Sequence, residues 1–236
     1  MPVLSTLSAA RGCLAVLALC AAAAPLSARA QNLLVNGSFE QGNWVDHGSG
    51  WARLASGSTA LTGWTITGDP VAWSSPFNNE RIVAADGQRA LDMTGFGNEN
   101  HQGGVAQTFA TVAGASYQLS LMLGGVAAYG TPVQLRADVA GLQQVFSLLP
   151  GSGNTWAARS LDFTATAAST TLTLSGVYSV SGYYIGLDQV SVTAAVPEPR
   201  TTALLLAGLA MLGGLARRRD QKMSGSDTGA PKLVSR

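Results

Sequence analysis

Trp44 and Trp51 are the residues best placed by type and setting to recognise something. They stand in a segment, residues 41–62, that is rich in Gly and Ser and also carries Asp46, His47 and Arg53. Indole rings held on such a loop can stack on the apolar C–H faces of a sugar while amides and carboxylates beside them meet its hydroxyls. Both tryptophans are therefore candidate ligand-binding platforms. The alternative is a loop that its two indoles pin to the body of the protein. Trp64, Trp73 and Trp156 open or sit inside strand-like stretches and are expected in packing, with Tyr129, Tyr183 and Tyr184 at strand ends. Catalytic chemistry is harder to find. His47 and His101 are far apart, and there is no Gly-x-Ser-x-Gly elbow, no Gly-rich phosphate loop and no Cys/His cluster. Residues 78–102 collect Glu80, Arg81, Asp86, Asp92, Glu99 and His101, most of them expected on a solvated surface. A glycosidase needs only two carboxylates, but nothing in the pattern singles out two. The expectation is a protein that is not an enzyme.

The elements that must position these side chains are short strands. Between residues 31 and 195 no long 3.6-residue periodicity occurs, and Gly, Ser, Thr, Asn and Asp punctuate the chain at strand-length intervals. Strands are expected at 32–39, 64–67, 71–74, 89–94, 104–111, 116–124, 133–140, 143–148, 156–165, 170–177 and 184–193. Tyr117-Gln118-Leu119-Ser120-Leu121 and Thr171-Leu172-Thr173-Leu174-Ser175 alternate in period two, as antiparallel strands with one face in a core must. Gly114 and Gly141 stand where turns need positive φ. The fold class that follows is all-β, an antiparallel two-sheet sandwich of jelly-roll type. Helices are expected only at the two ends, in an N-terminal signal helix and a short C-terminal hydrophobic helix.

Charge argues against a nucleic-acid-binding domain and against a polybasic membrane-surface domain. Of the 236 residues, 14 are Lys or Arg and 13 are Asp or Glu, but the ends hold most of the basic ones. Residues 31–196 contain five Arg, no Lys and ten acids, a net charge of −5. Such a domain lacks the basic footprint that phosphates require. Residues 1–30 carry Arg11, an apolar run from Cys13 to Ala24, and Ala28 and Ala30 at the positions signal peptidase reads, so cleavage is expected before Gln31. A lipoprotein route through Cys20 would want a small residue where Leu19 stands. Cys13 and Cys20 leave with the signal, and the mature chain then has neither disulfide nor thiolate chemistry. At the other end Pro197-Glu198-Pro199 precede an apolar run, 201–216, and Arg217-Arg218-Arg219. As a helix that run reaches about 24 Å, short of a hydrocarbon core, so it reads as a weak stop-transfer segment with the arginines held in the cytoplasm.

Those last residues, 196–219, resemble the PEP-CTERM sorting signal of exopolysaccharide-producing Gram-negative bacteria. The resemblance implies transient inner-membrane anchoring, then recognition of Pro197, Glu198 and Pro199 by an exosortase-type membrane enzyme, and release or reattachment at the cell surface or in the matrix. The polar tail, 220–236, extends beyond the usual end of such signals and is expected to be disordered. A second resemblance rests on Asn32-Leu33-Leu34-Val35-Asn36-Gly37-Ser38-Phe39-Glu40, Gly63-Trp64, Asp86-Gly87-Gln88-Arg89-Ala90-Leu91-Asp92, Gly104-Val105-Ala106-Gln107-Thr108-Phe109 and Leu187-Asp188-Gln189-Val190-Ser191-Val192. These blocks are similar to the choice-of-anchor C family, itself similar to galactose-binding-like jelly rolls and to carbohydrate-binding modules. In related modules, carboxylates at the positions of Glu40 and Asp188 hold a structural Ca²⁺ with backbone carbonyls, so the resemblance implies calcium here. The alternative is that Asp188 bonds backbone amides and Glu40 is solvated. The expectation as a whole is an exported surface or matrix protein that binds exopolysaccharide. Its rivals are a structural matrix protein working through protein contacts and a glycan-active hydrolase.

Overall fold

Period-two alternation builds nearly every element. The computed structural model describes residues 31–46, 48–78, 83–95, 102–126, 132–177 and 184–195, with Gly208 and Leu212, both helical. The expected signal peptide, sorting segment and tail lie outside those residues, Gly208 and Leu212 apart. Among the described residues eleven strands fall within one compact unit, Arg29–Ala195. They are β1 (Trp51–Leu54), β2 (Thr65–Gly68), β3 (Val71–Ser74), β4 (Ala90–Asp92), β5 (Gly103–Ala110), β6 (Ser116–Val126), β7 (Val133–Val139), β8 (Leu142–Leu148), β9 (Asn154–Thr164), β10 (Ser169–Gly176) and β11 (Ile185–Ala194). One sheet has the order β1-β3-β4-β11-β6-β9 and the other β2-β5-β10-β7-β8, with every strand pair antiparallel. The expected two-sheet sandwich is what forms.

Inward residues of the two sheets interdigitate: Leu119, Leu121 and Leu123 of β6 and Leu187 of β11 on one side, Leu135 of β7 and Leu172 and Leu174 of β10 on the other, all nearly inaccessible. Trp64 and Trp73 are buried with them, as expected. The Trp64 Nε1–H donates to Asn36 O at 3.0 Å and the Trp73 Nε1–H to Phe39 O at 2.7 Å, so both indoles satisfy their polar edge while buried. Between β7 and β8 the two-residue turn uses Ala140 at φ 50° and Gly141 at φ 82°, the geometry that matches the twist of a hairpin.

Two expectations about elements need correcting. The first strand, 32–39, does not form. Asn36 and Phe39 have φ of 56° and 57°, which breaks any ladder, and the segment is instead held by side chains that imitate a backbone. Asn32 Oδ1 accepts the Leu34 and Val192 amides at 3.0 and 2.9 Å, and Gln107 exchanges two bonds with Val35, at 2.7 and 2.9 Å. The segment 41–62, expected as loop throughout, contains the edge strand β1, which Trp51 opens opposite Ser74.

Strand β11 carries a bulge that decides where its carboxylate points. Register with β6 shifts between Asp188 and Ser191, and Gln189 takes φ 49°. The extra residue lets Val190 and Val192 face the core while Asp188, two positions before Val190, faces outward.

Candidate functional site

Residues 83–89, which lead into β4, lie across the outward face of the six-stranded sheet. Along one cross-strand row that face carries Ala72, Asp92, Gly186, Gly124 and Trp156. The two glycines make room for the indole: a Cβ on Gly124 would stand 2.6 Å from Trp156 Cε3, and one on Gly186 2.8 Å from Cη2. Trp156 is thus a packing residue, half-buried, and its Nε1–H donates to Val83 O at 2.9 Å. Asn154 Oδ1 accepts the Val83 amide at 3.1 Å, which fixes this part of the connection.

The two carboxylates singled out by sequence meet the same connection further on. Asp188 is inaccessible, and its Oδ2 accepts the Ala85 and Asp86 amides at 2.8 and 2.9 Å while Oδ1 accepts that of Gln189 at 2.7 Å. Glu40 Oε1 accepts the Gln88 and Arg89 amides, both at 2.8 Å, and the Ser38 hydroxyl donates to Asp86 Oδ2 at 3.1 Å. Burial pushes the Asp188 carboxyl up to about 6, against the three amide bonds that pull it down, and the Asp86 carboxylate nearby adds to the rise. Five N–H groups directed at two carboxylates suit a backbone clamp. A calcium ion would want oxygen ligands around it, and among the described residues no group of three or more His, Cys, Asp or Glu is placed to hold a metal. Clamped this way, the turn 85–89 presents Gln88 and Arg89 at the end of β4.

An open cleft of about 540 Å³ lies where these residues meet the turn 46–50; Trp44, Asp46, Ser75, Phe77, Gln88 and Arg89 are among its walls. Asp46 Oδ1 accepts the Gly48 and Gly50 amides at 2.8 and 3.1 Å and so shapes the turn. Trp44 is half-buried, its Nε1–H donating to Trp73 O at 3.2 Å. The Arg89 guanidinium carbon lies 4.4 Å from the Trp44 ring centroid and 5.0 Å from that of Trp73, a cation resting on two indoles. Its Nη1 is buried and has no hydrogen-bond partner among the described residues. Phe77 is 91% exposed at the rim.

Trp44, then, is both pinned to the sandwich and part of a cleft wall. Trp51 does not share that wall; it is half-buried in β1. Glu40 and Asp188 act on one turn, which in turn carries Arg89. Phe77 and Arg89 were missed by sequence reasoning, although Phe77 follows Ser75-Pro76, a turn signal, and Arg89 lies in a conspicuous block, 86–92. His47, Glu80, Arg81, Glu99, His101, Tyr129 and Tyr183 lie outside the described residues, as do Pro197, Glu198, Pro199, Arg217, Arg218 and Arg219. Among the described residues no helix is long and apolar enough to cross a membrane.

Solved structures similar to this one include carbohydrate-binding modules. TmCBM61, solved in complex with β-1,4-galactotriose, aligns over 70% of this chain and 99% of its own with 16% identity and a TM-score of 0.48. A family 16 carbohydrate-binding module aligns over 69% and 99% with 18% identity and a TM-score of 0.40. A putative sugar-binding protein from Bacteroides thetaiotaomicron aligns over 70% and 100% with 14% identity and a TM-score of 0.43. No curated protein matches the chain. Residues 195–219 match the PEP-CTERM protein-sorting motif, which marks an exported, exosortase-sorted protein of the cell surface or extracellular space. Residues 32–192, nearly the whole of the sandwich, match the family described as protein of unknown function DUF642, and the chain belongs to that family.

Proposed function

We propose that this is a non-catalytic surface or matrix protein that binds extracellular polysaccharide in the cleft bounded by Trp44, Phe77 and Arg89. The observation that carries the reading is the make-up of that cleft, whose lining combines the aromatic residues Trp44 and Phe77 with the polar residues Gln88, Arg89 and Asp46. A smaller hollow of about 310 Å³ on the other sheet, lined by Thr67, Asp69, Gln102, Arg136, Thr173 and Ser175, offers no ring. Among the described residues the cleft wall has one carboxylate, Asp46, which is bonded to backbone amides; this favours binding over hydrolysis. In this reading signal peptidase removes 1–30 and the exosortase acts at Pro197-Glu198-Pro199, with Arg217, Arg218 and Arg219 on the cytoplasmic side until then. The choice-of-anchor C resemblance points the same way.

A second reading, matrix assembly through protein contacts, is favoured by β8. It is an outer strand of its sheet with Leu142 and Val145 exposed at 45% and 42%. Titration of the full chain with the producing organism's exopolysaccharide, followed by tryptophan fluorescence, separates the two. Saturable quenching is expected, weakened about tenfold in Phe77→Ala. No binding over a wide concentration range, together with concentration-dependent self-association, would replace the glycan reading with the matrix one.

A further inference from the structure

Resting on that reading, we infer that the cleft is built for an acidic polysaccharide, with Arg89 receiving the carboxylate of a uronic-acid residue. Among the described residues Arg89 has no counter-ion. The ion pair found among the described residues is the one between Arg136 and Asp138, at 2.9 Å. Glu40, which clamps the turn, gives Oε1 to the main-chain amides of Gln88 and Arg89, and Asp46, on the cleft wall, gives Oδ1 to those of Gly48 and Gly50. The guanidinium rests instead on the rings of Trp44 and Trp73, and its Nη1 is shut away from water with no acceptor among the described residues. A buried donor left without an acceptor is a standing cost to the fold, and a charged one more so.

Nη1 itself is closed to solvent, so a ligand oxygen in the cleft would meet the rest of the guanidinium, on the residue that lines it. Contact with two indoles restricts the guanidinium, and a planar fork held in place matches a planar carboxylate better than it matches the single oxygen of a hydroxyl. Because Arg89 is ordered before the ligand arrives, through its clamped main chain below and its head against the indoles above, little rotamer freedom remains to be lost on binding. Phe77 stands at the same rim, so the ring of the sugar whose carboxylate reaches Arg89 can lay its C–H face on an aromatic. The domain's net −5 opposes an anion at long range, but at physiological salt that field is screened beyond about 8 Å, while the contact at Arg89 is not.

The test compares two forms of one probe, the producing organism's exopolysaccharide as isolated and the same material after carboxyl reduction, which turns uronates into neutral sugars without breaking the backbone. Binding of the full chain is followed by tryptophan quenching. The native glycan is expected to bind at least tenfold more tightly than the reduced one. The preference should vanish in Arg89→Gln and survive in part in Arg89→Lys, which keeps the charge and loses the fork. Equal binding of the two forms by the wild-type protein would overturn the inference and leave glycan binding standing. Binding of neither would overturn both. Should Arg89→Gln fail to fold, as near-ultraviolet circular dichroism would reveal, the wild-type comparison and Arg89→Lys still decide.

Discussion

Replacing Asp188 with Asn should change how the stability of this domain responds to pH, and the sign follows from burial. In the folded chain the carboxyl holds its proton up to about pH 6, whereas in the unfolded chain it releases it at the ordinary value of 3.8. Between those values the native state binds more protons than the unfolded one, so the free energy of unfolding falls as pH rises through the window. Above the window it is flat with respect to this group. At about 1.4 kcal/mol per pH unit, a shift of roughly two units amounts to about 3 kcal/mol, a large fraction of a typical domain's stability. The Asn side chain cannot ionise, so the variant lacks this slope. It is also expected to be less stable at pH 4, because its NH₂ faces an amide hydrogen where Asp188 accepted one. Urea unfolding of both proteins at pH 4, 5, 6 and 7 measures the difference, in which the contributions of all other carboxylates cancel. Asp188→Asn should gain on the wild type steadily from pH 4 to pH 6 and no further. A difference independent of pH would refute the argument that burial outweighs the three amide bonds at Asp188.

Two other outcomes are expected. Because Gly124 has Trp156 ring atoms 2.6 Å from where a Cβ would stand, Gly124→Ala should cost about 1–3 kcal/mol and expose the indole, seen as a red-shifted emission; an unchanged spectrum and midpoint would show that the ring is not seated there. If Glu40 and Asp188 serve as a backbone clamp, the melting midpoint should be the same in calcium and in chelator, whereas a rise with calcium would establish a bound ion, since a ligand that binds only the folded form must stabilise it.

The clamp also joins distant parts of the chain in a way that bears on function. Glu40 lies before the first strand and Asp188 in the last one, yet both hold the turn that delivers Arg89. A carboxylate on a rigid strand grips backbone amides without needing any particular side chain in the turn. The cleft wall is therefore positioned by groups that do not touch a ligand, and losses at Glu40 are expected to appear in binding as well as in stability.

Alternation of polar and apolar residues was enough to determine the sandwich, because a strand buried on one face must repeat with period two, and Leu119, Leu121, Leu172 and Leu174 do so without exception. The sorting signal was equally legible, since Pro197-Glu198-Pro199, the apolar run and Arg217-Arg218-Arg219 act as linear chain and need no fold to be read. The segment 32–39 misled, because its apolar residues look like a strand while Asn32 and Asn36 spend their amides imitating one. Trp51 was taken for a loop residue because a four-residue edge strand amid Gly and Ser has too short a pattern to detect. Tertiary structure alone decided the site. The bulge at Gln189 sets the direction of Asp188, a pairing more than a hundred residues apart in sequence clamps Ala85 to it, and only the meeting of two loops puts Arg89 on Trp44 and Trp73. Local sequence sets which face of a strand is apolar, but which loops meet, and which charge is left without a partner, depends on long-range packing that no local pattern encodes.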